Sequence, residues 1–316
     1  MLFEASFPST ASAGLLARHE NGEPGMTPTT SRGTLRLALP KGRMQDEVFT
    51  LLAEAGLRVR PSSRGYRPAI ALDGCEVKLL KPQNIIEMLA AGSRDIGFAG
   101  ADWVAELGAS VAELLDTGLD PVRIVAAAPA ALLEGGALPP GPLVVASEYE
   151  RLTADWIRRR GLDATCIRSY GATEVFPPED ADVIVDCTAT GATLDANDLV
   201  VVDELMRSTT RLFASRTALD DPERRQVIDR VVLLLQSVLD ARRRVMLEVN
   251  VTPDRLERVC AALPCMREPT IASLHGGAGF AVKAAVLRAE LPQIIPRIKA
   301  CGGTDIVVSL LTHIVA

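Results

Sequence analysis

Residues 181–194 read ADVIVDCTATGATL, and the residue types able to do chemistry crowd its second half: a carboxylate at Asp186, then Thr190, Gly191, Ala192 and Thr193. The apolar run 183–185 ends in that carboxylate, and a loop of small hydroxyl residues and glycine follows at once. A buried strand delivers a turn to the carboxyl edge of a parallel sheet in this way, and ligands of open α/β folds sit at that edge. Without bulky side chains, Thr190-Gly191-Ala192-Thr193 lets successive backbone N–H groups close around a phosphate while two hydroxyls add hydrogen bonds. Asp186, at the strand end, is placed to accept from sugar hydroxyls. The combination suits a ribose 5-phosphate. The same letters also describe an ordinary strand followed by a helix N-cap, with Thr190 or Thr193 as the cap.

Composition narrows the choice. At 316 residues the chain fits two or three domains. A net charge of −6, sparse aromatics and no basic tract exclude nucleic acid as the expected partner. Anionic small molecules remain, because local arginines can make a positive cleft in an acidic protein. The six cysteines are scattered without a CxxC pair, several inside apolar runs, which points to free thiols and a cytoplasmic setting. His19, His275 and His313 have no ligand spacing, so neither a zinc site nor a histidine-based triad is expected. Apolar runs are too short for a membrane span. Residues 1–33 are rich in Ser, Thr, Pro and Gly without a secretion pattern, and read as a disordered extension.

The elements that must position the loop follow from periodicity. Residues 35–39 alternate as a strand, 40–43 (PKGR) turn, and 44–55 have helical spacing stopped by Gly56. A strand at 74–80, a helix at 82–91 and a short buried strand at 95–99 come next, and Gly100-Ala101-Asp102 starts another helix. This repetition predicts a parallel sheet with helices on both faces. A second set has strands at 122–127, 143–146 and 165–168, a helix at 148–160 and a turn at 171–177. The loop after Asp186 closes that set. Residues 199–207 and 210–214 read as two strands returning to the first set, and 221–243 as one long helix with Val227, Val231, Leu234, Leu235 and Val238 on its apolar stripe. Two α/β lobes crossed near Asp120-Pro121 and near 203–208 imply a cleft with a two-strand hinge that closes on ligand. The last segment runs strand, helix, strand, strand, helix, strand, the ferredoxin-like order. Such a module stabilises, oligomerises or regulates.

Taken together, four stretches resemble ATP phosphoribosyltransferase of the long form, the first enzyme of histidine biosynthesis: LALPKGR at 37–43, DIGFAGAD at 95–102, GATEV at 171–175 and residues 182–197. A fifth, Glu268-Pro-Thr-Ile271, is similar to the regulatory domain that only the long form carries. The likeness runs from Thr34 to the C-terminus. It departs at Cys187-Thr188-Ala189, where relatives more often carry apolar residues and a serine, and this puts a side-chain role at position 189 out of reach. The resemblance implies a two-lobed catalytic part of the periplasmic-binding-protein kind with a C-terminal ferredoxin-like (ACT-like) regulatory domain. Its divisions would be 34–121 plus 206–243, 122–205 and 244–316.

The implied reaction joins ATP and 5-phosphoribosyl 1-diphosphate through adenine N1 with release of diphosphate, Mg²⁺ and cationic side chains neutralising the leaving group. By the same resemblance, Thr190, Gly191, Ala192 and Thr193 would hold the 5-phosphate, and Asp186 and Glu174 would face the ribose hydroxyls or a bound Mg²⁺. Lys41, Arg43 and Arg64 would reach the diphosphate or the ATP phosphates, while Gly100 and Asp102 would border the nucleotide. Asp102 also fits a plain helix N-cap. L-Histidine would inhibit by binding near Thr270, and homodimers or hexamers are implied. Three alternatives stand beside this reading, one of them a catalytically inactive regulatory paralogue, against which the intact loop and Lys41 and Arg43 speak. A phosphoribosyltransferase for another base would, in the commoner fold, place two adjacent acids before the Thr-Gly turn, where this chain has Asp186 and Cys187. A non-catalytic two-lobed binding protein would need an export signal that 1–33 does not supply.

Overall fold

A computed structural model describes residues 34–61, 65–266 and 268–315. The extension expected over 1–33 and the candidate Arg64 lie outside the described residues.

The first lobe is built from strand β1 (Leu35–Pro40), helix α1 (Gln45–Glu54), a two-residue pair β2 (Val59–Arg60) and β3 (Ala69–Ile70), then β4 (Cys75–Leu80), α2 (Pro82–Ala90), β5 (Ile96–Gly100) and α3 (Ala101–Leu107). Strand β6 (Ala112–Pro129) crosses to the second lobe. That lobe comprises β7 (Leu143–Ser147), α4 (Glu150–Arg160), β8 (Ala164–Arg168), β9 (Val183–Thr188) and α5 (Ala192–Ala196). Strand β10 (Leu199–Ala214) returns, followed by α6 (Arg216–Asp220) and α7 (Pro222–Arg243).

These strands form one eight-stranded sheet in the order β4-β1-β5-β10-β6-β9-β7-β8. Within each lobe the strands pair in parallel as expected, and the sheet as a whole is mixed. Parallel triplets β4-β1-β5 and β8-β7-β9 flank a central antiparallel pair. Both crossings are themselves strands, and they run in opposite senses, so the middle of the sheet has to be antiparallel. Residues 210–214 of β10 pair with β5, and 123–127 of β6 pair with β9. The two strands expected at 199–207 and 210–214 are one continuous strand, and the strand expected at 122–127 begins ten residues earlier at Ala112. The β6–β10 register shifts between Ser208 and Thr210, opposite Asp120, whose φ is +45°.

Alternate residues of the flanking strands enter different cores. Leu35, Leu37 and Leu39 pack with α1 and α7, whereas Ala38 faces Ile85, Ile86 and Leu89 of α2. Val183 and Val185 join Tyr149 and Trp156 on one face of the second lobe, and Ile184 joins Leu194 on the other. Burial on both faces explains why these strands read as apolar runs. Gly97 has a packing reason, since an added Cβ would stand 2.6 Å from Ile85 Cγ2. Helix α7 buries Ile228, Val231, Leu235, Val238 and Leu239; Val227 and Leu234 from the expected stripe are only partly buried beside them.

The terminal module contains β11 (Arg244–Val251), α8 (Leu256–Ala262), β12 (Thr270–Ser273), β13 (Phe280–Leu287), α9 (Leu291–Ala300) and β14 (Thr304–Leu310). Its antiparallel sheet has the order β12-β13-β11-β14, the ferredoxin-like arrangement, with a separate core that includes Val245, Leu247, Val259, Val282, Ile294 and Ile298. No helix among the described residues is long and apolar enough to cross a membrane.

Candidate active site

Four parallel-strand ends point at one place. Strand β1 ends in Lys41-Gly42-Arg43, β5 in Gly100, β7 in Ser147 and β9 in Asp186 to Thr188. Between them lies a cleft of about 630 Å³, its walls including Lys41, Arg43, Met44, Pro82, Gly100, Asp102, Trp103, Val122, Tyr149, Asp186 and Ser208. A second cavity of about 810 Å³ adjoins it, lined by Arg43, Glu174, Asp186, Cys187 and residues 188–194. Arg43, Asp186 and Cys187 belong to both cavities. The arrangement follows the rule that open α/β sheets bind ligands beyond their strand carboxyl ends.

The second cavity is built to meet an anion through backbone. Gly191 is the N-cap of α5 at φ +91°, a conformation that disfavours any other residue. The first-turn N–H groups of α5 have no carbonyl within the helix to reach, and residues 190–194 line the cavity. Thr190 Oγ1 accepts from the Ala192 N–H at 3.4 Å, and Thr190, Ala192 and Thr193 are exposed to incoming ligand. The capping alternative is thus displaced, because Gly191 rather than a threonine occupies the N-cap position.

Acids stand opposite this loop. Asp186 is half-buried, and burial, with Glu174 and Glu148 adding negative charge, pushes its carboxyl up to about 6. The Cys187 N–H, which donates to Asp186 Oδ1 at 2.6 Å, opposes that shift. Asp186, which lines both cavities, with Glu148 on the first and Glu174 on the second, suits a cation or sugar hydroxyls. Among the described residues no cluster of three His, Cys, Asp or Glu has the geometry of an ion cage. A divalent ion held here would therefore rely on one or two carboxylates plus substrate phosphates, the usual manner of Mg²⁺.

On the opposing lobe, Arg43 is exposed and Lys41 half-buried; among the described residues neither is in an ion pair. The Lys41 ammonium lies 5.1 Å from the centre of the Tyr66 ring. Uncommitted cations above an open cleft suit polyphosphate. Asp102 behaves otherwise. It is 5% exposed and lies inside α3, where it accepts from Ser208 Oγ at 2.6 Å and from the Tyr149 hydroxyl at 2.9 Å. The cap of α3 is Gly100, so the N-cap reading of Asp102 is corrected. Gly100 must lack a side chain, because a Cβ there would meet Asp102 Oδ1 at 2.0 Å.

Sequence reading missed Tyr149, Ser208, Trp103 and Glu148. Tyr149 carried a signal in retrospect: it is one of three tyrosines and follows a strand end. Thr270 lies far along the chain in the terminal module. It lines a separate hollow with Met246, Glu268, Lys283, Ala285 and Ile314.

Comparison with known proteins identifies the family. The family model for ATP phosphoribosyltransferase matches residues 81–237, and that for the HisG C-terminal domain matches 241–313. The chain belongs to the ATP phosphoribosyltransferase family. The enzyme of Pelotomaculum thermopropionicum is 36% identical over 286 residues, covering 89% of this chain and 99% of its own. That of Chlorobium phaeovibrioides is 34% identical over 290 residues, covering 88% and 96%. Among solved structures, the Thermotoga maritima ATP phosphoribosyl transferase (HisG:HisZ) complex contains a chain with 26% identity and a TM-score of 0.56, covering 64% of this chain and 98% of that one. The matched C-terminal domain is the part by which the long form of the ATP phosphoribosyltransferase family is known.

Proposed function

We propose that the chain is an ATP phosphoribosyltransferase, forming 1-(5-phosphoribosyl)-ATP and diphosphate from ATP and 5-phosphoribosyl 1-diphosphate as the first step of histidine biosynthesis. The observation that carries it is the meeting of two unlike cavities at Arg43 and Asp186. One has a backbone-lined phosphate loop beside acids. The other has cations and an apolar wall of Met44, Pro82, Trp103 and Val122. A ribose 5-phosphate fills the first and an adenine nucleotide the second, which brings sugar C1 and adenine N1 together at the shared edge.

The chemistry needs no protein nucleophile. The N1 lone pair forms the bond to C1 as the C1–O bond to diphosphate breaks, and the departing oxygen takes the electron pair. Positive charge develops on the sugar and negative charge on the leaving group. Asp186 and Glu174 face the ribose, the side on which an oxocarbenium-like centre is stabilised. Arg43 and Lys41 meet the growing negative charge, which is electrostatic stabilisation of the usual kind. Asp186 or Glu174, together with the substrate phosphates, would hold a Mg²⁺, which would add further charge neutralisation when bound.

The terminal hollow fits a free amino acid. Glu268 offers an ammonium partner and Thr270 a hydroxyl, and Lys283, ion-paired with Glu248 at 2.6 Å, would share its ammonium with the ligand carboxylate; Thr270 and Lys283 are paired across β12 and β13. This supports L-histidine as feedback inhibitor. A cytoplasmic homo-oligomer, dimer or hexamer, completes the reading. Mixing the protein with both substrates and Mg²⁺ and weighing the products tests it: one new species with the mass of phosphoribosyl-ATP, equimolar with diphosphate, supports the assignment. Ribose 5-phosphate and unchanged ATP would refute it.

A further inference from the structure

The cleft is held by a buried hydrogen-bond chain that runs from one lobe to the other. Tyr149, 3% exposed, is the residue preceding α4 in the second lobe. Its hydroxyl donates to Asp102 Oδ2 in α3 of the first lobe at 2.9 Å. Asp102 Oδ1 accepts from Ser208 Oγ at 2.6 Å, and the Asp102 N–H donates back to the same oxygen at 3.1 Å. Ser208 lies on β10 opposite Val122, where the two crossing strands shift register. In the other direction, the Tyr149 N–H donates to Ser147 Oγ at 2.8 Å, and the Ser147 hydroxyl donates to the Val185 carbonyl at 2.6 Å. Val185 precedes Asp186. The Tyr149 ring also stacks on Trp103 of α3, with centroids 4.8 Å apart and planes at 26°.

A second tie joins the same helices. The Glu106 carboxylate of α3 accepts from the Arg151 and Leu152 N–H groups in the first turn of α4, at 2.9 and 3.0 Å. Burial beside the Asp102 carboxylate pushes the Tyr149 hydroxyl far above its ordinary range, so it remains a proton donor at any working pH.

Resting on the transferase reading above, we infer that Tyr149 is a positioning residue: through Asp102 and Ser208 it sets the spacing between the lobe that carries Lys41 and Arg43 and the lobe that carries Asp186 and the phosphate loop. The lobes are linked covalently by β6 and β10, and two strands with a register shift at their crossing leave twist and separation free. The α3–α4 junction removes that freedom. The phosphate-loop cavity contains none of the junction residues, whereas Asp102, Trp103, Tyr149 and Ser208 also wall the nucleotide cavity. With that wall's rings kept in place both ligands still bind, but N1 and C1 reach attacking distance only when the junction's hydrogen bonds are made.

The test is steady-state kinetics of the full chain with Tyr149→Phe, which keeps the stacking ring and removes the donor. We expect kcat to fall at least about tenfold while both KM values stay within about twofold, because small misalignments act on the bond-forming step. Ser208→Ala should produce the same signature, and the double variant should lose less than the product of the two, since both act through Asp102. Spin labels on unnatural keto side chains at positions 50 and 159 provide an activity-independent readout. The distance distribution between lobes should broaden in Tyr149→Phe. An unchanged kcat, or a raised KM at constant kcat, overturns the positioning role, as does an unaltered distance distribution. A wild-type protein without transferase activity, whose Tyr149→Phe variant still shows the broadening, would sink the transferase reading and leave the junction standing.

Discussion

Arg43 and Asp186 stand on opposite lobes, at the ends of β1 and β9, and line the same two cavities. A cation and a carboxylate so placed are not in an ion pair with each other, and they face a shared space instead. The proposed reaction generates charge of both signs at that edge, negative where diphosphate leaves and positive on the sugar.

Arg43→Ala should therefore lower kcat together with kcat/KM. Removal of one preorganised electrostatic contact costs roughly 3 kcal/mol in the transition state, about a hundredfold in rate. Initial rates at saturating ATP and 5-phosphoribosyl 1-diphosphate give the answer. A raised KM with intact kcat would make Arg43 a ground-state binder only.

The phosphate loop predicts a ranking. Thr190→Ala removes one hydroxyl and spares the backbone donors, whereas Gly191→Val puts a branched side chain at φ +91° on the wall of the anion cavity. Calorimetric titration with 5-phosphoribosyl 1-diphosphate should show a several-fold loss for the alanine variant and near-complete loss for the valine variant. Equal, wild-type affinities in two folded variants would remove the phosphate from this loop.

Asp186 links pH, stability and activity. Its carboxyl titrates near 6, raised by burial and by Glu174 and Glu148 from an ordinary 3.8. If the ionised form faces the ribose, kcat/KM for 5-phosphoribosyl 1-diphosphate should fall as pH drops through about 6. Stability has the opposite sign. A carboxyl raised in the folded state binds its proton more tightly there than when unfolded, so its ionisation costs the fold above pH 6 and costs nothing below about 4. Asp186→Asn should stabilise the protein at pH 8 by about 1 kcal/mol after allowing for solvent screening, with no gain at pH 4. Thermal melts at both pH values measure this. A destabilised variant at pH 8 would show that Asp186 is held by favourable contacts.

Regulation has a point test that leaves the cleft untouched. Glu268→Gln and Thr270→Val alter the terminal hollow alone. Each should weaken inhibition by L-histidine about tenfold or more, a loss within the usual range of coupling energies, while the uninhibited rate is unchanged. Inhibition curves superimposable on wild type would move the effector site elsewhere.

Much of this was legible in the sequence, for physical reasons. The loop 190–193, the turn after β1 and the ferredoxin order of the last module all rest on local patterns of apolar residues, Gly and Thr. Strand β10 was not legible as one element, because Arg207-Ser208-Thr209 at its centre is polar and breaks the alternation that marks a half-buried strand. Strand β6 was hidden in the same way by Asp120-Pro121 at the crossing. Asp102 and Tyr149 meet across 47 residues of chain, and no periodicity reports such a contact. Asp102 looked like a cap because a short acid at a helix start usually is one; burial beside Ser208 and Tyr149 gave it another partner.

The central claim is that the two cavities bring adenine N1 to ribose C1. The most direct measurement uses ATP labelled with ¹⁵N at N1 and 5-phosphoribosyl 1-diphosphate labelled with ¹³C at C1, incubated with the protein and Mg²⁺ and followed by NMR. The account predicts a one-bond ¹³C–¹⁵N coupling that grows in step with released diphosphate. Loss of diphosphate without that coupling, with the labelled carbon bonded to water oxygen or to a different nitrogen, would contradict it.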